Sequence, residues 1–232
     1  RRPPLSTLFP YTTLFRSKLK SKLDFHYTNF DRTTIAPDPL QFLHQYRAKE
    51  DTEIVGFISS IFAYGNVSQI NLILSKIFSE LGTSPYQKIL GMSKSEIKIF
   101  TNKIRYRFYR PQDVEDLFLT LKKILTENFS LKNIFLERYK SSDKNIKTAL
   151  SHFSEQILNY FPTKTRGIKF MFPNPNDGST CKRMNLFLRW MVRRDELDFG
   201  LWNEIATSKL IIPVDTHIAK ICKELKIGRA HV

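Results

Sequence analysis

Apolar residues recur at helical spacing along almost the whole chain, with an apolar side chain at every third or fourth position. The segment Glu53–Tyr64 is nearly all apolar and is predicted to be a buried helix. The next predicted helix, Asn66–Leu81, starts at an Asn-x-x-Gln pattern and stops at Gly82. No run shows the alternation that is typical of a strand, so the sequence predicts an all-α protein.

Capping signals place further helices. Ser93 with Glu96 is predicted to form a capping box for a helix that runs to about Arg105. Pro111 is predicted to occupy the first position of the following helix. Pro162–Gly178 is predicted to be a long loop. The other predicted helices cover Leu131–Lys140, Asn145–Phe161, Lys182–Arg194, Leu201–Thr207 and Thr216–Leu225.

Both ends of the chain are predicted to be non-native. Except at Leu5, Arg1–Ser17 reads as the translation of a common sequencing adapter, and Ile227–Val232 reads as the start of the opposite adapter. The native part, Lys18–Lys226, has the size of one ordinary domain. We therefore expect a single all-α domain whose C-terminal part is missing.

The charge of the chain favours an anionic partner. The full chain carries +15, and leaving out the arginines of the two adapter-like ends reduces this to +11. Lysine and arginine near phosphates release counterions, so this excess favours nucleic acid. A lysine-rich protein that binds no nucleic acid has the same charge, and both interpretations remain open.

The two cysteines, Cys181 and Cys222, are isolated and lack Cys-x-x-Cys spacing. This argues against a disulfide framework and against a cysteine-built zinc or iron–sulfur site within these residues, and leaves open a cluster beyond residue 226. No metal and no other cofactor is predicted. No native apolar run has the length of a membrane span, and no signal-peptide pattern is present. We therefore expect a cytoplasmic protein that does not contact membranes. A monomer is also expected.

Lys182 and Asp215 form the most informative pair of residues. Lys182 follows a Gly-Ser-Thr-Cys turn and opens an apolar helix, and Asp215 opens the last helix after Pro213. An amine forms a Schiff base with a sugar carbon, and a carboxylate stabilises the cationic sugar that develops as a base departs. Alternatively, Asp215 only caps its helix and Lys182 is a surface lysine. The pair predicts a site that cuts a bond between sugar and base.

Several residues around this pair are predicted to bind nucleic acid. A turn before a helix binds phosphate oxygens through backbone N–H groups, and Lys182, Arg189 and Arg193 fall on one face of their helix, which is alternatively a solvated face. The run Arg105–Arg110 interleaves cations and aromatics as single-strand binders do, but inward packing of its rings explains it at least as well. The predicted contacts are Gly178, Ser179, Arg183, Arg189, Arg193, Tyr64, Asn66 and His217.

The motif Gly178-x-x-x-Lys182-x-x-Asn185-Leu-Phe-Leu is similar to the hairpin of helix–hairpin–helix DNA glycosylases such as endonuclease III. The segment Pro213–Ile218 resembles the Val-Asp-Thr-His segment of that superfamily. The resemblance implies a two-lobe helical fold with a DNA cleft, Lys182 as the Schiff-base lysine and Asp215 as the catalytic carboxylate. It also implies a glycosylase/abasic-site lyase that acts on damaged or abasic duplex DNA.

The chain departs from endonuclease III at two points. Thr180 replaces the second glycine of the hairpin, and the interval from Lys182 to Asp215 is longer, which looks more like the archaeal 8-oxoguanine glycosylase branch. The stretches GFISSIFAYG, CKRMNLFLRWMVRRDELDFGLW and LIIPVDTH resemble, more closely, an uncharacterised bacterial family. The alternative function is a non-catalytic DNA- or RNA-binding helical module of the same fold.

Overall fold

The computed structural model describes residues 10–214 and 216–225. Over these residues the regular structure is helical, and the only extended pairings are isolated bridges between Tyr106 and Tyr109 and between Arg194 and Phe199. The prediction of an all-α protein is therefore confirmed. None of the helices described combines the length and the apolar character needed to cross a lipid bilayer.

The chain divides into two compact units. The smaller comprises Arg1–Ile35 and Val214–Val232, and its described helices are α1 (Pro10–Asn29) and α12 (Thr216–Glu224). The larger, Ala36–Pro213, holds the helices between them. These are α2 (Leu40–Leu43), α3 (Lys49–Phe62), α4 (Val67–Leu81), α5 (Pro85–Gly91), α6 (Lys94–Thr101), α7 (Pro111–Asn128), α8 (Leu131–Leu136), α9 (Lys147–Tyr160), α10 (Arg166–Met171) and α11 (Lys182–Val192).

The core of the larger unit forms where α11 packs against α3. Gly56 permits the close approach, because a Cβ atom there would lie 3.0 Å from Met191 and 3.1 Å from Leu43. One residue further on, the ring of Phe57 meets Phe187 at 5.4 Å between centroids. The aromatic side chains around this crossing are fully buried: Phe57, Phe135, Phe153, Phe172, Phe187 and Trp202.

The first half of α3 is joined to α8 through the carboxylate of Glu53, which is 5% exposed. This carboxylate accepts hydrogen bonds from the Leu131 amide at 3.0 Å, the Ser130 hydroxyl at 2.8 Å and the Trp202 indole at 2.8 Å. Ser130 is the N-cap of α8, so the carboxylate lies at the positive end of a helix. Burial raises the pKa of the Glu53 carboxyl, and these hydrogen bonds oppose the rise.

The predicted helix signals around α4, α6 and α7 are confirmed. The Asn66 side chain caps α4 by accepting the Ser68 amide at 2.9 Å. Ser93 and Glu96 form the reciprocal capping box of α6, and α7 begins with Pro111. Helix α6 ends at Thr101 instead of about Arg105, since the Ile104 amide turns back to the Thr101 carbonyl at 2.9 Å.

The prediction of a helix over Leu201–Thr207 was wrong. The chain instead runs back along the end of α11, where the Phe199 amide donates to the Trp190 carbonyl at 2.9 Å and the Trp202 amide to Met191 at 2.8 Å. These bonds satisfy carbonyls that the end of a helix leaves open. They also direct the Trp202 indole inward, so burial of the indole outweighs local helix preference.

The predicted loop Pro162–Gly178 contains α10 (Arg166–Met171) and a 3₁₀ turn. Thr165 caps α10, because its hydroxyl accepts the Ile168 amide at 3.1 Å. The same hydroxyl donates to the buried Asp113 carboxylate at 2.5 Å. A contact distant in sequence therefore fixes a helix that the local pattern does not indicate.

Candidate functional site

Lys182 is the first residue of α11, and its side chain is exposed. The turn before it contains two residues with left-handed backbone, Gly178 at φ 77° and Cys181 at φ 47°. The Ser179 hydroxyl accepts the Cys181 amide at 3.1 Å. Cys181 is the N-cap residue of α11, but its side chain makes no capping hydrogen bond to the first amides of the helix.

Asn185 closes this turn onto the helix. Its side-chain amide donates to the carbonyls of Thr180 at 3.1 Å and Cys181 at 3.2 Å, and the residue is buried. The Asn185 side chain thus joins the turn before α11 to the first turn of the helix. These hydrogen bonds fix the backbone position of Lys182, the first residue of α11.

Arg183 lies in the interior, although the sequence predicts it as a nucleic-acid contact. It is 8% exposed, and its guanidinium donates to the Ile61 carbonyl at 2.9 Å. It also donates to the Tyr109 hydroxyl and to the Phe170 carbonyl. The structure therefore gives this side chain contacts within the protein, and it is buried whereas the preceding residue Lys182 is exposed.

Arg189 and Arg193 share one carboxylate. The Nε atom of Arg189 lies 2.9 Å from Asp198 Oδ2, and the Nε atom of Arg193 lies 3.4 Å from the same oxygen. Arg193 also pairs with Asp195. Burial raises the pKa of the Asp198 carboxyl, while the two arginines lower it. The predicted cationic face of α11 is therefore partly neutralised.

Tyr64, Arg107, Phe108 and Phe170 form an aromatic–arginine cluster on the surface. The Tyr64 ring lies 5.0 Å from Phe170 and 5.9 Å from Phe108, measured between centroids. The Arg107 guanidinium lies 4.8 Å from the centre of the Tyr64 ring, a distance at which the cation is attracted to the ring. Tyr64 is 39% exposed and Phe108 52% exposed, so ring surface remains open to solvent.

The run Arg105–Arg110 divides between the interior and the surface. The hydroxyl of Tyr106 donates to the Tyr64 carbonyl at 2.7 Å, and that of Tyr109 donates to the Ile61 carbonyl at 2.8 Å. Burial raises the pKa of Tyr109 to about 12. Both tyrosines thus pack inward, while Arg107 and Phe108 are exposed. The sequence pattern does not indicate Phe170, because it lies in the predicted loop.

The remaining predicted site residues have different settings. Asn66 uses its side chain to cap α4. His217 is exposed on α12, within the smaller unit. Asp215 lies outside the described residues, so its predicted role stays a prediction. Over the part of the chain that the structure describes, no three His, Cys, Asp or Glu side chains gather as metal ligands.

Comparison with known proteins gives the family. Residues 38–231 match the model of a family described as "Protein of unknown function (DUF2400)". The chain belongs to this family. No curated protein and no solved structure matches it. The description of the DUF2400 family states no activity, so the relation to helix–hairpin–helix glycosylases stays a prediction.

Proposed function

We propose that this DUF2400 chain is a DNA-repair-type base-excision enzyme, a glycosylase/abasic-site lyase that acts on damaged or abasic duplex DNA. Lys182 supplies the attacking amine. Asp215 stabilises the cationic sugar and accepts the proton of the amine. The proposal includes the finer fold, a helix–hairpin–helix arrangement in which the turn before α11 is the hairpin.

The observation that carries the proposal is the setting of Lys182. Its side chain is exposed at the first position of α11, behind a turn that Asn185 braces. A lysine whose side chain is exposed and whose backbone is fixed suits attack on the aldehyde carbon of an opened abasic sugar. Nitrogen adds to carbon, water leaves and an imine forms, so the step needs no cofactor.

The aromatic–arginine cluster supports DNA as the partner. Arg183 follows Lys182 in the chain, and its guanidinium lies 4.3 Å from the Phe170 ring and 6.0 Å from the Tyr64 ring. The Arg183 side chain therefore extends from the first turn of α11 to two rings of the cluster. Exposed rings beside cations bind unstacked bases, and a base must leave the stack before its sugar can be attacked.

Borohydride trapping on abasic duplex DNA tests the proposal, since reduction converts the imine into a stable protein–DNA adduct. We expect the unmodified chain to trap and Lys182→Ala to trap only at background. Lys94→Ala is the matched control, because Lys94 is also an exposed lysine at the first position of a helix. Trapping by Lys182→Ala at the level of the control would remove Lys182 from its role.

A non-catalytic nucleic-acid-binding module is the second candidate, and the aromatic–arginine cluster favours it, since stacking needs no nucleophile. It predicts binding that weakens steeply with salt and no adduct on any substrate. Phe108→Ala would then weaken binding, with a loss of about 1–3 kcal/mol per stacked base. Ile99→Ala is a suitable control, because Ile99 is an exposed apolar residue on α6.

A further inference from the structure

Arg183 is a buried cation that is held without a carboxylate among the described residues. Its hydrogen-bond partners are the Ile61 carbonyl, the Tyr109 hydroxyl and the Phe170 carbonyl. Burying an unpaired charge is costly unless its donors are satisfied. Three acceptors from three separate segments receive hydrogen bonds from this guanidinium, so the segments are tied together through a single side chain.

The positions of these acceptors explain why a cation is tolerated. Ile61 lies in the last turn of α3, and Phe170 lies in the last turn of α10. Carbonyls at the end of a helix lack partners within the helix and carry negative partial charge. The Tyr109 hydroxyl donates to the Ile61 carbonyl as well. Arg183, Tyr109 and Ile61 therefore form a closed set of hydrogen bonds.

The same guanidinium lies beneath the aromatic–arginine cluster. It lies 4.3 Å from the centre of the Phe170 ring and 6.0 Å from that of Tyr64. The ring of Tyr64 also has the Arg107 guanidinium at 4.8 Å. Removing Arg183 would therefore release the Phe170 carbonyl and take a cation away from two rings of the cluster.

We propose that Arg183 is a positioning residue, which fixes the aromatic–arginine cluster relative to the neighbouring amine of Lys182. A guanidinium donates hydrogen bonds from a rigid planar fork and stacks face to face on a ring at the same time, whereas an ammonium is a compact charge on a flexible stem that cannot reproduce this geometry. The role requires arginine specifically. Its effect on catalysis rests on the proposed function, but its effect on the cluster does not.

Amide hydrogen exchange on the full chain tests the positioning directly. In Arg183→Lys we expect the hydrogen-bonded amides within 63–66 and 105–110, those of residues 63, 64, 109 and 110, to exchange at least about tenfold faster, because local opening costs less free energy there. Amides in the middle of α7 should keep their rates. Arg189→Lys is the control, since Arg189 lies on the same helix and pairs with Asp198. Unchanged exchange at both segments in Arg183→Lys would overturn the proposal.

A second readout is the rate of borohydride trapping at saturating abasic DNA, measured well below the unfolding temperature. Arg183→Lys should trap at least about tenfold more slowly than Arg138→Lys, which alters an exposed arginine with no predicted role, since misplacement lowers the rate of a step after binding. A normal rate would reject the positioning role and leave Lys182 as the nucleophile. If the unmodified chain traps nothing, the proposed function fails, and the exchange data alone decide the role of Arg183.

Arg183→Met separates positioning from simple folding. Methionine fills much of the space but cannot donate to Ile61, Tyr109 or Phe170, so this variant should unfold at lower denaturant than Arg183→Lys. We expect faster exchange at 63–66 and 105–110 in both variants. A loss of stability in Arg183→Met with normal exchange in Arg183→Lys would show a merely structural residue and contradict the proposal.

Discussion

Two buried charges of opposite sign lie near the two ends of helix α3, Glu53 near its start and Arg183 near its end. Neither charge has a counterion among the described residues. The Glu53 carboxylate is held by the Ser130 hydroxyl, the Leu131 amide and the Trp202 indole. Near the other end, the Arg183 guanidinium is held by carbonyls and a hydroxyl. The anion meets the start of a helix and the cation meets the ends of two, as helix dipoles favour.

The two regions differ in what surrounds the charge. Glu53 faces Trp202, which is fully buried among aromatic side chains, so its hydrogen bonds join α3 to α8 inside the core. Arg183 lies under rings that reach solvent at Tyr64, and it follows an exposed lysine. We infer that the first charge serves stability, and that the second shapes a surface.

The largest expected effect is a loss of unfolding free energy when the Glu53 carboxylate is removed. Glu53→Ala leaves the Leu131 amide and the Trp202 indole buried without an acceptor, so the free energy of unfolding should fall by about 4 kcal/mol. Urea denaturation measures it. Glu50→Ala, which alters an exposed neighbour on the same helix, should change little. Equal losses in the two variants would mean that the Glu53 hydrogen bonds do not stabilise the core.

Alkaline pH tests the region around Arg183 through the hydroxyl of Tyr109. Burial raises the pKa of Tyr109 to about 12, so the folded state favours the neutral hydroxyl. Its contribution, about 2–3 kcal/mol, is fully present below pH 10, the ordinary pKa, and is lost as pH rises to about 12. Unfolding free energies against pH for the unmodified chain and Tyr109→Phe isolate this step. Parallel curves would show that Tyr109 titrates normally.

The sequence predicts the local features of the fold and few of the long-range ones. Caps at Asn66 and Ser93 are readable because their partners lie within three residues. The Leu201–Thr207 error and the missed helix α10 both depend on distant partners, Glu53 and Asp113. At the candidate site, the sequence predicts that Lys182 opens its helix, as it does, while its reactivity stays a prediction. The burial of Arg183 could not be predicted from the sequence, because its acceptors come from three separate segments.

Asp198 sharpens the comparison, since it is a buried carboxylate that does have counterions, Arg189 and Arg193. Asp198→Asn should lower the free energy of unfolding by about 2 kcal/mol, because charged hydrogen bonds are lost. It also unmasks two cations, so the salt dependence of DNA binding should steepen by about one to two charges. Glu80→Gln, an exposed acid on α4, controls for net charge. An unchanged salt slope would argue against DNA contact by this face.

The smallest expected effect concerns the cap beside Glu53. The Ser130 hydroxyl accepts the Lys132 amide at 3.1 Å and donates to Glu53, so Ser130→Ala should cost about 1 kcal/mol of unfolding free energy. Ser84 is the N-cap of α5 but makes no capping hydrogen bond, and Ser84→Ala should cost less. A larger loss in Ser84→Ala would contradict this account of the cap.

The central claim is that the amine of Lys182 attacks the sugar. The most direct measurement is peptide mapping by mass spectrometry after borohydride trapping of the full chain on abasic duplex DNA. We predict that the sugar adduct is found on the peptide that contains Lys182, at its Nζ atom. An adduct on the N-terminal amine or on another lysine, or no adduct at all, would contradict the account.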